Sequence, residues 1–450
     1  MSTPLTELHL HLYGCIRARD MLDMLARADH VAWERYEPGY QRAFGRASSA
    51  RSLVERHRAG DASAALEFED VFVFGDGDAG SFPRFQAKFD LIIAGSRIGR
   101  AYVDETQRPA AIAEIREVAR RVLIDQRDEG IGYAEQRFFF GRHATSAFVD
   151  EALGALLEDY ARAPDGITAR LAVSLPREDA FLHWPLVQKH ALGPHGHALT
   201  GVDFCFFEEG FPPKHQRAFF AELARFNAAH PERALAVLYH VGESFEDKSL
   251  ESAVRWVQEA AELGAHRLGH AIALGVDPEA YGAHVRPESV GERRDQIAYD
   301  LRHCDVLRRA GVHVDVDALE RERALLAEKP ESETLKIVYD HRRLHEVRAR
   351  QRVAMAAIRE TGAVIEVCPT SNLRIGGLVD PKHHPVHRFY EEGLPFVVAS
   401  DDPGIFGTRL RDEIDWVAGQ LGLDAAGRSA LAEAAYARRS EVLTGRVPNG

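Results

Sequence analysis

The stretch Glu7-Leu8-His9-Leu10-His11-Leu12-Tyr13-Gly14 sets two imidazoles two residues apart among leucines. On a strand, residues at this spacing share a side, so His9 and His11 point one way and Leu8, Leu10 and Leu12 the other. Two neutral imidazoles on one face are half of a metal site. Alone the pair says little, because 22 histidines in 450 residues supply roughly one His-x-His by chance. A second, His195-Gly196-His197, lies in a Gly/Pro-rich loop. The weight comes from polar residues that end other β-rich runs: His240-Val-Gly-Glu243, Leu268-Gly-His270 and Ser400-Asp-Asp-Pro403. Singly, His240 reads as a core histidine, Glu243 as a loop residue and Asp401-Asp402-Pro403 as a helix cap. Their joint placement at strand ends points to a site.

His9, His11, His240 and Asp401 give four nitrogen and oxygen donors, a set that suits one Zn²⁺ per chain, with Fe²⁺ or Mn²⁺ also compatible. An ion so held makes water acidic enough to act as a nucleophile near neutral pH. Glu243, one glycine beyond the strand, can give a proton to a ring nitrogen while water attacks the neighbouring carbon. His270 can take the water proton or steady the developing alkoxide. Asp402, beside a ligand, can orient a base. The strand-four run Gly-Val-Asp-Phe-Cys-Phe-Phe has no lysine to bridge two metals, which favours a single ion.

These residues need a scaffold that gathers them. Eight β-rich runs begin near positions 7, 133, 168, 201, 234, 267, 364 and 395, mostly separated by helical patterns. Strand–helix alternation in eight units predicts a (β/α)₈ barrel, in which C-terminal strand ends converge on one face. A doubly wound open sheet is the rival, weakened by the lack of Gly-x-Gly-x-x-Gly after the first strand. The expected organisation is one barrel domain over 1–450, with helical insertions at about 30–80 and 277–355; residues 290–362 read as a long helical region. The loop Gly75-Asp-Gly-Asp-Ala-Gly80 lacks the glutamate of a calcium loop, and His341/His345 lack the His-Glu-x-x-His pattern.

Composition narrows the class. The chain is 45% hydrophobic and 28% charged with net charge −13, which suits a globular protein with a large core and disfavours a nucleic-acid polymer as partner. The start Met1-Ser2-Thr3-Pro4 lacks signal-peptide regions, no apolar run is long enough for a membrane helix, and the four scattered cysteines suit a reducing compartment. A cytoplasmic protein with a small-molecule substrate, possible as a homo-oligomer, is expected.

The runs His-Leu-His-Leu-x-Gly (9–14), His-Val-Gly-Glu (240–243), Arg-Leu-Gly-His (267–270), Glu-Val-Cys-Pro-Thr-Ser-Asn (366–372) and Ser-Asp-Asp-Pro-Gly-Ile-Phe-Gly-Thr (400–408) resemble adenosine deaminase and its relatives. Phe85–Asp90, Tyr133–Phe138 and His384-Pro385 are weaker matches. The resemblance implies zinc on His9, His11, His240 and Asp401, proton donation to purine N1 by Glu243, catalysis by His270, and a hydrogen bond from Asp402 to purine N7. It implies hydrolytic loss of ammonia from an aminopurine. Two positions depart from the pattern: Tyr13 stands where relatives carry an acid that contacts the sugar, and Phe206 where a glycine amide meets the purine. The expected substrate is therefore an aminopurine nucleoside, nucleotide or related compound rather than adenosine itself. The alternatives are hydrolysis of a cyclic amide or ester, and nucleoside binding without turnover. Arginines 342, 343, 348, 350 and 352 read as a solvated helix face, or as receptors for an acidic group.

Overall fold

The computed structural model describes residues 4–376, 378 and 380–447; Met1–Thr3, part of the stretch read as lacking a leader, lie outside the described residues. The chain folds as a (β/α)₈ barrel. Its strands are β1 (Leu5–His11), β2 (Ile131–Phe139), β3 (Thr168–Ser174), β4 (Leu199–Phe204), β5 (Ala236–Val241), β6 (Arg267–His270), β9 (Val364–Val367) and β10 (Phe396–Val398). They pair in parallel in the order β1-β2-β3-β4-β5-β6-β9-β10, and a parallel bridge from Leu10 to Asp401 closes the ring. Strands β4, β5, β6 and β9 are buried throughout, because helices cover the outside of the barrel and side chains fill the inside.

Local chemistry sets the helix ends. Thr145 caps the helix Ser146–Ala161 at the Phe148 amide, and Ser249 caps Leu250–Leu263 at the Ser252 amide. Ile115, Val118 and Val122 form the buried stripe of Arg108–Asp128, as their spacing predicts, while Ile112 is partly exposed. No helix among the described residues is long and apolar enough to cross a membrane.

The segment between β6 and β9 corrects the sequence expectation. It is not helical throughout: β7 (His284–Ser289) and β8 (Thr334–Tyr339) pair antiparallel, with the helices Val290–Arg302, Cys304–Arg309 and Val316–Ala327 between them. Pro287 hides β7, because proline argues against a strand except at an edge. The pattern of β8 is period two, with Ile337 and Tyr339 buried and Lys336 and Val338 exposed. The segment after β1 carries the helices Trp33–Phe44, Ala50–Arg58 and Ala64–Phe72. In its loop, Asp76 pairs with Arg374 and Asp78 with Lys88, each at 2.8 Å, so both carboxylates already have cationic partners.

One carboxylate works against the fold at neutral pH. Burial, with the charge of Asp20 nearby, pushes Asp125 up to about 6 from the usual 3.8. The fold therefore favours the neutral acid, and stability is lost as pH rises through that window. Asp125→Asn should raise the urea midpoint at about pH 7.5 and leave it unchanged near pH 4. The gain should be on the order of 1 kcal/mol, discounted from the full shift because the group is only half-buried.

Candidate metal centre

Closure of the barrel assembles the site. The His11 amide donates to the Asp401 carbonyl at 3.2 Å and the Asp401 amide to the His9 carbonyl at 3.0 Å, which sets Asp401 beside both histidines of β1. The β5–β6 register places His240 opposite Gly269 and Val241 opposite His270. A Cβ on Gly269 would lie 3.1 Å from His9 Cε1 and 3.3 Å from the His240 ring, so the glycine leaves room for the rings to meet. His11 Nε2 lies 3.2 Å from His240 Nε2 and 3.3 Å from Asp401 Oδ1, and His9 Nε2 lies 3.4 Å from Asp401 Oδ1. Donors at Zn–N distances of about 2.0–2.1 Å in a tetrahedron stand about 3.3 Å apart. The donor set and its spacing fit a divalent cation. Among the described residues, the groups able to hold an ion are His9/His11/His240 and His9/His270/Asp401, which share His9.

Burial drives His240 down to about 3, so it is neutral and free to donate a lone pair. For Asp401, burial pushes the carboxyl up, but hydrogen bonds from His11 and His9 outweigh it and hold the group well below the usual range. Behind the donors sit partners that the sequence reading assigned no role. His9 Nδ1 meets Glu366 at 2.8 Å and His240 Nδ1 meets Asp203 at 3.0 Å. A carboxylate behind a ligating histidine fixes its tautomer and raises its basicity. Glu366 also accepts from Arg137 at 2.6 Å and Arg267 at 2.8 Å, and Arg137 Nη1 lies 3.0 Å from His9 Nε2. The available signal was charge inside buried strands: Glu135, Arg137, Asp203, Arg267 and Glu366 are all buried, and a barrel interior holds such groups only when they are paired.

The mouth holds the remaining candidates. Gly242, at φ 70°, turns the chain so that Glu243 leaves β5, and the Glu208 carboxylate accepts from the Gly242 amide at 2.9 Å and the Glu243 amide at 3.3 Å. Burial and the charge of Asp401 push Glu243 well above the usual carboxylate range. Its Oε2 lies 3.5 Å from His270 Nε2. Burial keeps His270 neutral, well below the usual histidine range. Asp402 is likewise raised by burial and by Asp401; its Oδ1 is buried without a partner, and a Cβ on Gly14 would overlap it at 1.6 Å. His270 (φ 62°) and Asp401 (φ 63°) hold left-handed backbone, a conformation that costs non-glycine residues about 1–3 kcal/mol and concentrates at functional sites.

Seven of the predicted residues thus meet: His9, His11, His240, Glu243, His270, Asp401 and Asp402. The Tyr13 hydroxyl instead donates to Glu114 at 3.2 Å, and its ring stacks on Phe138. Phe206 lies beyond the end of β4, half-exposed. His341 is exposed, and His345 is 3.8 Å from Glu279.

The adenosine deaminase family model matches residues 297–440, which include β9, β10 and Asp401-Asp402. An aminodeoxyfutalosine deaminase from Acidothermus cellulolyticus is 43% identical over 88 residues, 18% of this chain and 24% of the relative. An adenine deaminase from Rhizobium johnstonii is 32% identical over 151 residues, 32% of this chain and 45% of the relative. The chain thus spans less than half the length of these curated relatives. Among solved structures, the N6-methyl-AMP deaminase of Arabidopsis thaliana superposes with TM-score 0.52 at 16% identity, covering 99% of this chain and 95% of that one. A Zn-bound amidohydrolase from Burkholderia ambifaria superposes with TM-score 0.53 at 17% identity, over 97% and 85%.

Proposed function

We propose that this chain is an adenosine deaminase-like amidohydrolase, a hydrolytic deaminase that releases ammonia from an aminopurine nucleoside, nucleotide or related compound. The observation that carries the reading is the Glu243 carboxyl held 3.5 Å from the His270 imidazole, beside the donor groups His9/His11/His240 and His9/His270/Asp401. A cation on His9, His11, His240 and Asp401, with zinc the best fit, supplies Lewis acidity and acidifies water at neutral pH.

This chain's own groups do the rest. His270, neutral through burial, takes the proton of the attacking water. Glu243 gives its proton to the ring nitrogen next to the amine-bearing carbon, so negative charge does not build on the ring. The carbon–oxygen bond forms and the carbon–nitrogen bond breaks; His270 returns its proton to the departing amine, which leaves as ammonia, and the hydroxyl proton left on the product passes to Glu243 as the carbonyl forms. Asp402, whose carboxyl burial pushes up and whose Oδ1 is buried without a partner, donates to a second ring nitrogen and fixes the base in register. Tyr13 and Phe206 shape the rest of the substrate pocket. The whole chain serves as one barrel with two insertions, in a cytoplasmic protein.

A screen for ammonia release over aminopurine bases, nucleosides and nucleotides, on zinc-loaded protein, tests this. One or more of these compounds should turn over with stoichiometric ammonia. Ring opening of a cyclic amide or ester without ammonia would overturn it, as would tight nucleoside binding with no turnover of any compound.

A further inference from the structure

The arginines at 342, 343, 348, 350 and 352 share the helix His341–Thr361, and the structure divides them. Arg350 forks onto Asp300, with Nη2 at 2.9 Å from Oδ2, and Arg343 Nε donates to Glu251 at 2.8 Å. Arg342 faces Glu346, one turn on, at 4.0 Å. Arg348 and Arg352, also one turn apart and so on one side of the helix, meet no carboxylate at ion-pair distance among the described residues. A third guanidinium joins them from the helix Val386–Glu391. Arg388 Nη1 donates to Gln351 Oε1, and Gln351 neighbours both Arg348 and Arg352 on the helix surface.

Arg388 is only 8% exposed, yet its partner is an amide rather than an acid. That amide cannot turn over: Gln351, fully buried, donates through Nε2 to the carbonyls of Ala273 at 3.0 Å and Val276 at 2.8 Å, which leaves Oε1 for the arginine. The other buried arginines are better matched. Arg137, Arg255 and Arg267 each meet a carboxylate, and Arg177 donates to the carbonyls of Phe204 and His240. Burial and the charge of Arg348 pull Arg388 below the usual arginine range; Arg352 adds to this, and Glu392 and Asp277 oppose it without cancelling it. Asp277 also faces His383, at 3.6 Å. A buried charge is stable when it is paired, and here three like charges stand together with no acid among them.

We propose that Arg348, Arg352 and Arg388 form a binding site for a small phosphate-class oxyanion. The helix His341–Thr361 packs on Leu250–Leu263, outside the ring of strands, so the site is separate from the donor cluster and stands whether or not the mouth deaminates a purine. Guanidinium forks match the oxygens of a tetrahedral dianion two at a time, which a halide cannot reproduce. Arg388, fixed on Gln351, supplies the rigid member, and Arg348 and Arg352, without partners of their own, close on the anion from the helix face.

The test is calorimetric titration of the full chain with inorganic phosphate and with ribose 5-phosphate, at an ionic strength held constant with sodium chloride. Ribose 5-phosphate carries the anion on a sugar and has no base to enter the mouth. At least one of the two should bind saturably at a single site, and Arg348→Ala combined with Arg352→Ala should weaken it by about tenfold or more. Neither side chain has an ion-pair partner to lose, so this double variant should melt where the parent does. Arg388→Gln should weaken binding as well; if that buried change unfolds the protein, the double variant decides alone. Arg342→Ala, an equal loss of charge elsewhere on the same helix, should leave binding unchanged. Tighter binding of inorganic phosphate identifies a free-phosphate site, and tighter binding of ribose 5-phosphate a phosphate-monoester site; both support the proposal. It is overturned if neither anion binds saturably, if the double variant stays within about twofold of the parent, or if Arg342→Ala weakens binding as much as the double variant does.

Discussion

Glu243→Gln should lower the rate of ammonia release by about 10³-fold while the protein keeps its ion and its fold. The amide has the same size as the acid, and the hydrogen bonds that hold this turn go from the Gly242 and Glu243 amides to Glu208, not to the Glu243 side chain. What is lost is an acid group that burial and the charge of Asp401 hold well above the usual carboxylate range. An amide still donates a hydrogen bond but transfers no proton, and general acid catalysis is worth about 10²–10⁴-fold. The loss should fall on kcat, with KM little changed, because ground-state contacts persist. Steady-state ammonia release and metal analysis on the same preparation check it. Activity within about tenfold of the parent would remove Glu243 from the proton-donor role.

The barrel and its donor cluster were legible because each rests on a local signal. The His-x-His spacing on a strand, the glycine before Glu243 and the Asp-Asp-Pro at the end of β10 mark strand ends without any knowledge of tertiary contacts. The partners behind the ligands were not legible in the same way. Asp203 and Glu366 matter because β4 and β9 set them against imidazoles on β5 and β1, and no spacing in the chain encodes a contact made across a closed ring. Tyr13 likewise has a partner that no spacing encodes: its hydroxyl donates to Glu114 on the helix Arg108–Asp128. The ribbon of β7 and β8 was hidden by Pro287 and by the arginine-rich helix that follows it.

His11→Ala should cost nearly all bound metal and nearly all activity, whereas Asp203→Asn should weaken both by a graded amount. His11 Nε2 stands at 3.2 Å from one neighbouring donor and 3.3 Å from another, so its loss opens a corner of the cluster. His11 is also the partly exposed member of the set, so truncation leaves the buried frame of Glu366, Arg137 and Arg267 intact and the apoprotein folded. Asp203 touches no ion position. It holds His240 Nδ1 at 3.0 Å and accepts from the Ser174 hydroxyl at 2.7 Å. Asparagine keeps an acceptor there but removes the charge that makes the imidazole a stronger donor, a change worth about 10–100-fold in affinity. Competition with a chelator of known affinity separates the two: His11→Ala should retain less than about a tenth of an equivalent of zinc, and Asp203→Asn should bind a full equivalent with weakened affinity. Binding to the folded state alone raises stability by RT ln(1 + [L]/Kd), so zinc should raise the melting temperature of the parent most, of Asp203→Asn less, and of His11→Ala hardly at all. A His11→Ala protein that still holds a full equivalent would place the ion on His9, His270 and Asp401, the second donor group of the mouth, and would take His11 and His240 out of the ligand set.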